Sequence, residues 1–202
     1  MDTGEIILPF EGKRFFQDRR SMAVSGVSQL LYEEAIKDER EGIALLEAGC
    51  GAGIVCVMTA LSRPDWHITG IDIQPELIEL ARTNAALSEV EIEFLVSDIA
   101  EHNGKYDLII SNPPWRKKGS GMLSPHHSRN ISRFEIHCEM DDVISLILRC
   151  LKDDGKALLI YPTERMDELL QKAKNAELDI ITNIIQTGNK AFFIATIRME
   201  NQ

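Results

Sequence analysis

At 202 residues and 44% apolar side chains, the chain is long enough for one domain with a real core and too apolar to be disordered. A formal net charge of −10 argues against indiscriminate nucleic-acid binding, which rests on neutralising phosphates. The acidic start Met1-Asp2-Thr3-Gly4-Glu5 lacks the basic-then-apolar order of a secretory leader, and no apolar run approaches the roughly 20 residues of a membrane span, so a cytoplasmic protein that does not meet a membrane is expected.

The predicted elements alternate between strand-length apolar runs and helix-period segments. Residues 13 to 39 form a segment expected to be mostly helical after Ser21, so residues 1–40 read as a partly helical extension packed on a domain of residues 41–202. Ile43 to Ala48 is a first strand that ends in glycines, followed by a helix from Ile54 to Ser62 that stops near Pro64. His67 to Asp72 is a second strand. Pro75 to Leu87 is a helix with proline in its first turn. Glu91 to Val96 and Tyr106 to Ser111 are strands three and four. Asp141 to Leu151 is an amphipathic helix whose opening acids suit its positive end. After a turn at Asp153-Asp154-Gly155 come a fifth strand, Lys156 to Tyr161, and a helix from Thr163 to Ala176. Asp179 to Ile185 and Ala191 to Arg198 are two last strands joined through Gly188-Asn189. Alternation of this kind predicts an α/β fold, a parallel sheet with helices on both faces, and the final pair predicts an antiparallel edge hairpin. Cys50, Cys56, Cys138 and Cys150 contain no Cys-x-x-Cys pair and are expected to be reduced. His126-His127 has no acidic or cysteine ligand close by, so no metal is expected.

The richest stretch is Leu46-Glu47-Ala48-Gly49-Cys50-Gly51-Ala52-Gly53, which ends the first strand and opens a helix, the place where a doubly wound sheet binds ligands. Glycines permit a tight turn and close backbone approach. A dinucleotide fingerprint wants glycine or alanine where Ile54 stands, which disfavours NAD. Asp72, 19 residues after Gly53, ends strand two and is placed to accept from ribose hydroxyls. Asp98 follows strand three, placed to accept from an exocyclic adenine amine, with Ile73 and Ile99 sandwiching the ring. Glu47 is a candidate for an ammonium. Three acids at consecutive strand ends beside a glycine loop carry more weight than any one of them. Over residues 40 to 200 this pattern resembles the class I S-adenosylmethionine methyltransferases. The resemblance implies a Rossmann-like fold, a seven-stranded and mostly parallel sheet with an antiparallel C-terminal hairpin. It also implies S-adenosyl-L-methionine as cofactor, S-adenosylhomocysteine as product, and contacts from Glu47, Gly49, Cys50, Gly51, Gly53, Asp72, Ile73, Asp98, Ile99 and Asn112.

Strand four runs into Ser111-Asn112-Pro113-Pro114-Trp115, which resembles the Asn/Asp-Pro-Pro-aromatic motif of enzymes that methylate adenine N6, cytosine N4 or the glutamine amide. Such amines have weakly nucleophilic lone pairs. Two acceptors, the Asn112 side-chain oxygen and the Pro113 carbonyl, suit the two N–H groups and stabilise the charge that grows on nitrogen. The prolines fix φ and bring no competing N–H, and Trp115 offers a face for a planar acceptor.

Three further stretches resemble the bacterial tRNA (valine) adenine-N6 methyltransferase family: Gly12-Lys13-Arg14-Phe15-Phe16-Gln17-Asp18, Ser132-Arg133-Phe134-Glu135 and Tyr161-Pro162-Thr163-Glu164-Arg165-Met166-Asp167-Glu168-Leu169-Leu170. From Leu108 to Phe134 there is no Asp or Glu, and Arg116, Lys117, Lys118, Arg129 and Arg133 give that stretch +5, which leaves −15 for the rest. These cations are the expected RNA contacts, with Arg116, Lys117 and Lys118 beside the acceptor motif where phosphates flanking a loop base would lie, and Lys13, Arg14, Arg19 and Arg20 extending the surface. Gly119-Ser120-Gly121 is expected to make the intervening loop flexible. The rival readings are a protein glutamine N5-methyltransferase, disfavoured by only about 40 residues ahead of strand one, a small-molecule N-methyltransferase, and a non-catalytic RNA-binding or partner subunit.

Overall fold

The computed structural model describes residues 2–10, 12–19, 26–117, 119–120, 124–188 and 190–200, with only the backbone of His127 and Arg133. Two short strands, β1 (Thr3–Ile7) and β2 (Arg14–Asp18), pair antiparallel ahead of helix α1 (Gly26–Ala35). The hairpin lies ahead of Ser21, in the part of the extension where the sequence predicts no element, and α1 falls in the part read as helical. The Phe15 side chain is fully buried, while the backbone N–H and C=O of Phe16 are taken up by Asn84.

Beyond it runs the alternating chain: β3 (Ala44–Ala48), α2 (Ile54–Ser62), β4 (His67–Asp72), α3 (Pro75–Ser88), β5 (Glu93–Val96) and β6 (Tyr106–Ser111). There follow α4 (His127–Arg133), α5 (Met140–Cys150), β7 (Leu151–Pro162), α6 (Met166–Asn175), β8 (Leu178–Thr187) and β9 (Lys190–Met199). The sheet order is β5-β4-β3-β6-β7-β9-β8. The first five strands run parallel, and β9 returns antiparallel between β7 and β8. The fold is therefore the seven-stranded, doubly wound arrangement expected.

Parity along β6 shows why its sequence is apolar throughout. Leu108 and Ile110 enter a core shared with Leu31 of α1, Val55 of α2 and Ile78 of α3, whereas Ile109 enters a second core with Val143 and Ile147 of α5 and Leu169 of α6. A strand buried on both faces cannot alternate apolar with polar. Helix α5 begins one residue before the expected Asp141, and Glu139 and Asp142 form a reciprocal capping box at its N-terminus.

Two local expectations differ. The turn foreseen at Asp153-Asp154-Gly155 is an irregularity inside β7, where Tyr106 pairs with Leu151 but Leu108 with Lys156. Residues 116–133, expected as a loop, contain α4, whose last turn donates from Phe134 N to Asn130 O. Among the described residues no helix is long and apolar enough to cross a membrane.

Candidate active site

The order reverses between β3 and β6, and a crevice at such a switch point is where open α/β sheets bind ligands. Here the two strand ends are tied together, Ser111 Oγ donating to the Ala48 carbonyl over 2.6 Å. A cavity of about 400 Å3 opens across the strand ends, within the usual range for a small-molecule site.

Its floor is the glycine turn. Gly49 and Gly51 adopt φ of 76° and 55°, and a Cβ at either would meet nothing within 4 Å, so the backbone there borders open space. Gly49 and Cys50 both donate N–H to the Ile71 carbonyl over 2.9 Å, which pins the turn to β4. Gly53 behaves differently. It is buried at φ 82°, and a Cβ would lie 2.8 Å from the Phe94 ring, so it serves packing of the helix entry on β5 and does not line the cavity. Gly53 is thereby set apart from Gly49 and Gly51, which line the cavity.

The three strand-end acids meet at the cavity. Asp72 is buried, accepting from Gly51 N and Gln74 N over 2.9 Å each. Burial raises its pKa, opposed by those backbone bonds. Two acceptances leave lone pairs on both carboxylate oxygens, which fits a ribose diol. Asp98 accepts from Ala100 N over 2.9 Å, and Ile73 and Ile99 present apolar surface beside it. Glu47 is almost sealed, and its Oε2 accepts from Cys56 N over 3.0 Å and Cys56 Sγ over 2.8 Å at the start of α2. Burial pushes its pKa up to about 8. Its neighbours Cys50 and Cys56 are free thiols held protonated, also by burial. An acid that is costly to ionise in a closed pocket is suited to a cationic group. The donor set thus fits S-adenosylmethionine, with a diol, an adenine edge and an ammonium matched by Asp72, Asp98 and Glu47.

Asn112, Pro113, Pro114 and Trp115 line the same cavity. Among the described residues nothing hydrogen-bonds the Asn112 amide, which is only partly buried. Trp115 carries the Arg116 guanidinium 5.0 Å from its ring centroid. Behind the loop, Arg165 donates from Nη1 to the Trp115 carbonyl and from Nη2 to Glu135 Oε1 over 2.8 Å.

The expected cationic surface separates into parts. Lys117 pairs with Glu168 over 3.1 Å, and Arg129 donates to the Arg19 carbonyl. Lys13 instead pairs with Glu89 at the far end of α3, about 20 Å along the helix axis from the cavity at ~1.5 Å per residue, and Arg14 pairs with Glu5. Those two stand away from the acceptor motif. Lys118, Arg20, Gly121 and the side chain of Arg133 lie outside the described residues.

Several lining residues were missed by the sequence reading: Phe15, Gln17 and Asp18 of β2, Ser28 of α1, and Thr187, Lys190 and Phe192 from the β8–β9 turn. Phe192 pairs with Pro162, so this turn sits at the cavity end of the sheet. A usable signal existed for β2, since Gly12 at φ 76° separates two apolar runs as a hairpin would. Lys190 carries no local signature, because only the return of β9 brings it back.

Residues 39–192 match a family described as a methyltransferase domain. The tRNA1(Val) (adenine(37)-N6)-methyltransferases of two Porphyromonas gingivalis strains are similar to this chain. One is 32% identical over 133 residues, 61% of this chain and 51% of the relative. The other is 31% identical over 173 residues, 79% and 67% respectively. The release factor glutamine methyltransferase of Streptococcus pneumoniae is 34% identical over 108 residues, 52% of this chain and 39% of that protein. The chain thus spans about half the length of the first of these relatives, two thirds of the second and less of the third. Among solved structures, a methyltransferase from Pyrococcus furiosus superposes with a TM-score of 0.67 at 14% identity, covering 95% of this chain and 91% of that one, a likeness of fold.

Proposed function

The chain belongs to the class I S-adenosylmethionine-dependent methyltransferases, and on that footing we propose that it methylates an exocyclic amine, foremost the N6 amine of an adenine in tRNA. The observation that carries this reading is one cavity shared by the Asn112–Trp115 loop and the strand-end acids Glu47, Asp72 and Asp98. S-adenosylmethionine supplies an electrophilic methyl group. The residues do the rest. The Asn112 oxygen and the Pro113 carbonyl accept the amine hydrogens, which aims the nitrogen lone pair at the methyl carbon. As the N–C bond forms and the S–C bond breaks, those acceptors stabilise the charge gained by nitrogen, and a proton then leaves to water. No strong base is required of the chain.

Support for a nucleic-acid base comes from the acid-free stretch beside the loop and from the tRNA-modifying relatives. In this reading residues 1–40 form an extension that walls the cavity, residues 41–202 form the transfer domain, and the enzyme works in the cytoplasm. The second reading, transfer to a protein glutamine, rests on the release-factor relative. Incubation with methyl-labelled cofactor, total tRNA and total protein, followed by nucleoside analysis, separates the two. Labelled N6-methyladenosine in tRNA supports the first; label confined to protein overturns it in favour of the second.

A further inference from the structure

Two of the short sequence marks, Ser132-Arg133-Phe134-Glu135 and Tyr161-Pro162-Thr163-Glu164-Arg165, lie 30 residues apart and meet beneath the acceptor loop. Arg165 and Glu135 side chains are each only 8% exposed, and their charges face over 2.8 Å. The same guanidinium reaches Glu168 over 3.2 Å and the Trp115 carbonyl. The strip that follows is stitched to the same block: Glu135 N donates to the Arg116 carbonyl over 2.8 Å, and Arg116 bridges to Phe134.

This anchoring matters because Asn112–Trp115 has no regular secondary structure, and its two prolines have no N–H with which to hold it. A loop of that kind gains its shape from outside. A buried, planar, three-way donor is a rigid way to supply it, since the fork is preorganised and its charge is balanced inside the protein.

Resting on the function proposed above, we propose that Arg165, balanced by Glu135, is a positioning residue that holds the Asn112-Pro113-Pro114-Trp115 turn in methyl-accepting geometry. It touches no reacting atom. Misplacing a reacting group by about 1 Å costs roughly a hundredfold in rate, so the effect should fall on turnover and leave binding alone.

The test compares Arg165→Lys, which keeps the charge but loses the fork, with Glu135→Gln, which keeps the shape but loses the balancing charge. Wild type and variants are assayed for methyl transfer to unfractionated tRNA, for S-adenosylhomocysteine binding by calorimetry, and for Trp115 emission in a Trp66→Phe background. The expected result for Arg165→Lys is a kcat about ten- to a hundredfold lower, with acceptor KM and cofactor Kd changed by less than about twofold, and a red-shifted, more readily quenched Trp115. Glu135→Gln should move every readout the same way by less, and it carries the test should Arg165→Lys fail to fold. Wild-type turnover with unchanged Trp115 emission overturns the proposal, as does a rate loss matched by equal weakening of cofactor binding. Asn112→Ala in the same assay separates the two readings. Its failure to slow transfer removes the loop's assigned role, whereas a slow Asn112→Ala beside a normal Arg165→Lys removes only the positioning role. The emission measurement needs no acceptor and decides whether Arg165 holds the loop even where tRNA is not the substrate.

Discussion

The carboxyl of Glu47 offers the sharpest quantitative test of the cofactor site. Burial lifts its pKa from 4.5 to about 8, with the neighbouring Asp72 charge adding to the lift and the Cys56 hydrogen bonds opposing it. At pH 7 about nine-tenths of free sites therefore carry a neutral Glu47. An α-amino group titrates at about 8 as well. A complex that pairs carboxylate with ammonium holds one proton between them, whereas the separate partners hold two in acid and none in alkali. Affinity for S-adenosylmethionine should thus peak near pH 8, falling about threefold by pH 7 and a further eightfold or so by pH 6, with close to one proton released per binding event on the acid side. Calorimetry at pH 6.5 in buffers of different ionisation enthalpy measures that proton directly. Glu47→Gln should bind more weakly at pH 8 and lose the acid limb. An affinity flat between pH 6 and 8, with no proton released, refutes the pairing of Glu47 with the ammonium. The same shift has a stability consequence of fixed sign. A carboxyl with a raised folded pKa holds a proton that the unfolded chain lacks between pH 4.5 and about 8, so the cofactor-free protein loses stability as pH rises through that window. Thermal melts of Glu47→Gln should lack this decline.

Other perturbations separate the parts of the site. Asn112→Ala should lower turnover by about a hundredfold or more while S-adenosylhomocysteine binding holds, and near-normal single-turnover rates would remove the amine-acceptor role. The Lys117–Glu168 pair is surface-exposed and contributes little, so a phosphate can take the lysine over. Lys117→Gln with Lys118→Gln should accordingly weaken tRNA binding and flatten the dependence of log Kd on log salt by about 0.7–0.9 for each phosphate no longer neutralised; an unchanged slope takes this stretch out of the interface. Gly53→Ala costs about 1–2 kcal/mol for its left-handed backbone and about 1–3 kcal/mol for overlap with Phe94, which should lower Tm by roughly 4–20 °C. Gly51→Ala incurs only the first cost but points a methyl into open space at the cavity, so it should melt higher than Gly53→Ala and bind cofactor worse; the reverse order would mean that the two glycines have been assigned the wrong tasks.

The contrast between those glycines marks where sequence reading stops. Strand ends were legible because their signals are local. An apolar run, a glycine turn and an acid 19 residues on place Asp72, and the end of the third apolar run places Asp98 at the same edge, without any knowledge of packing. Which glycine faces ligand and which faces Phe94 depends on the height of β5 behind the turn, and no local pattern encodes that. The placement of the cations is hidden from sequence for a related reason. Charge counted along the chain says nothing of distance, and the hairpin, lying along α3, puts Lys13 beside Glu89 at the helix's far end. What the hairpin delivers to the cavity is its other end, Gln17 and Asp18. Asn84 makes that placement rigid: one buried amide accepts from Phe16 N and donates to the carbonyls of Phe16 and Ala52, so the extension is fastened directly to the glycine turn. Buried polar groups hold partners over long separations, 68 residues for Asn84 and Phe16 and 50 for Arg165 and Trp115. Both connections fix a segment to an element far from it in sequence. Helices and paired strands satisfy their backbones by regular patterns and so declare themselves in sequence, whereas the docking of the hairpin and the shape of the acceptor loop depend on single distant side chains that only folding brings to them.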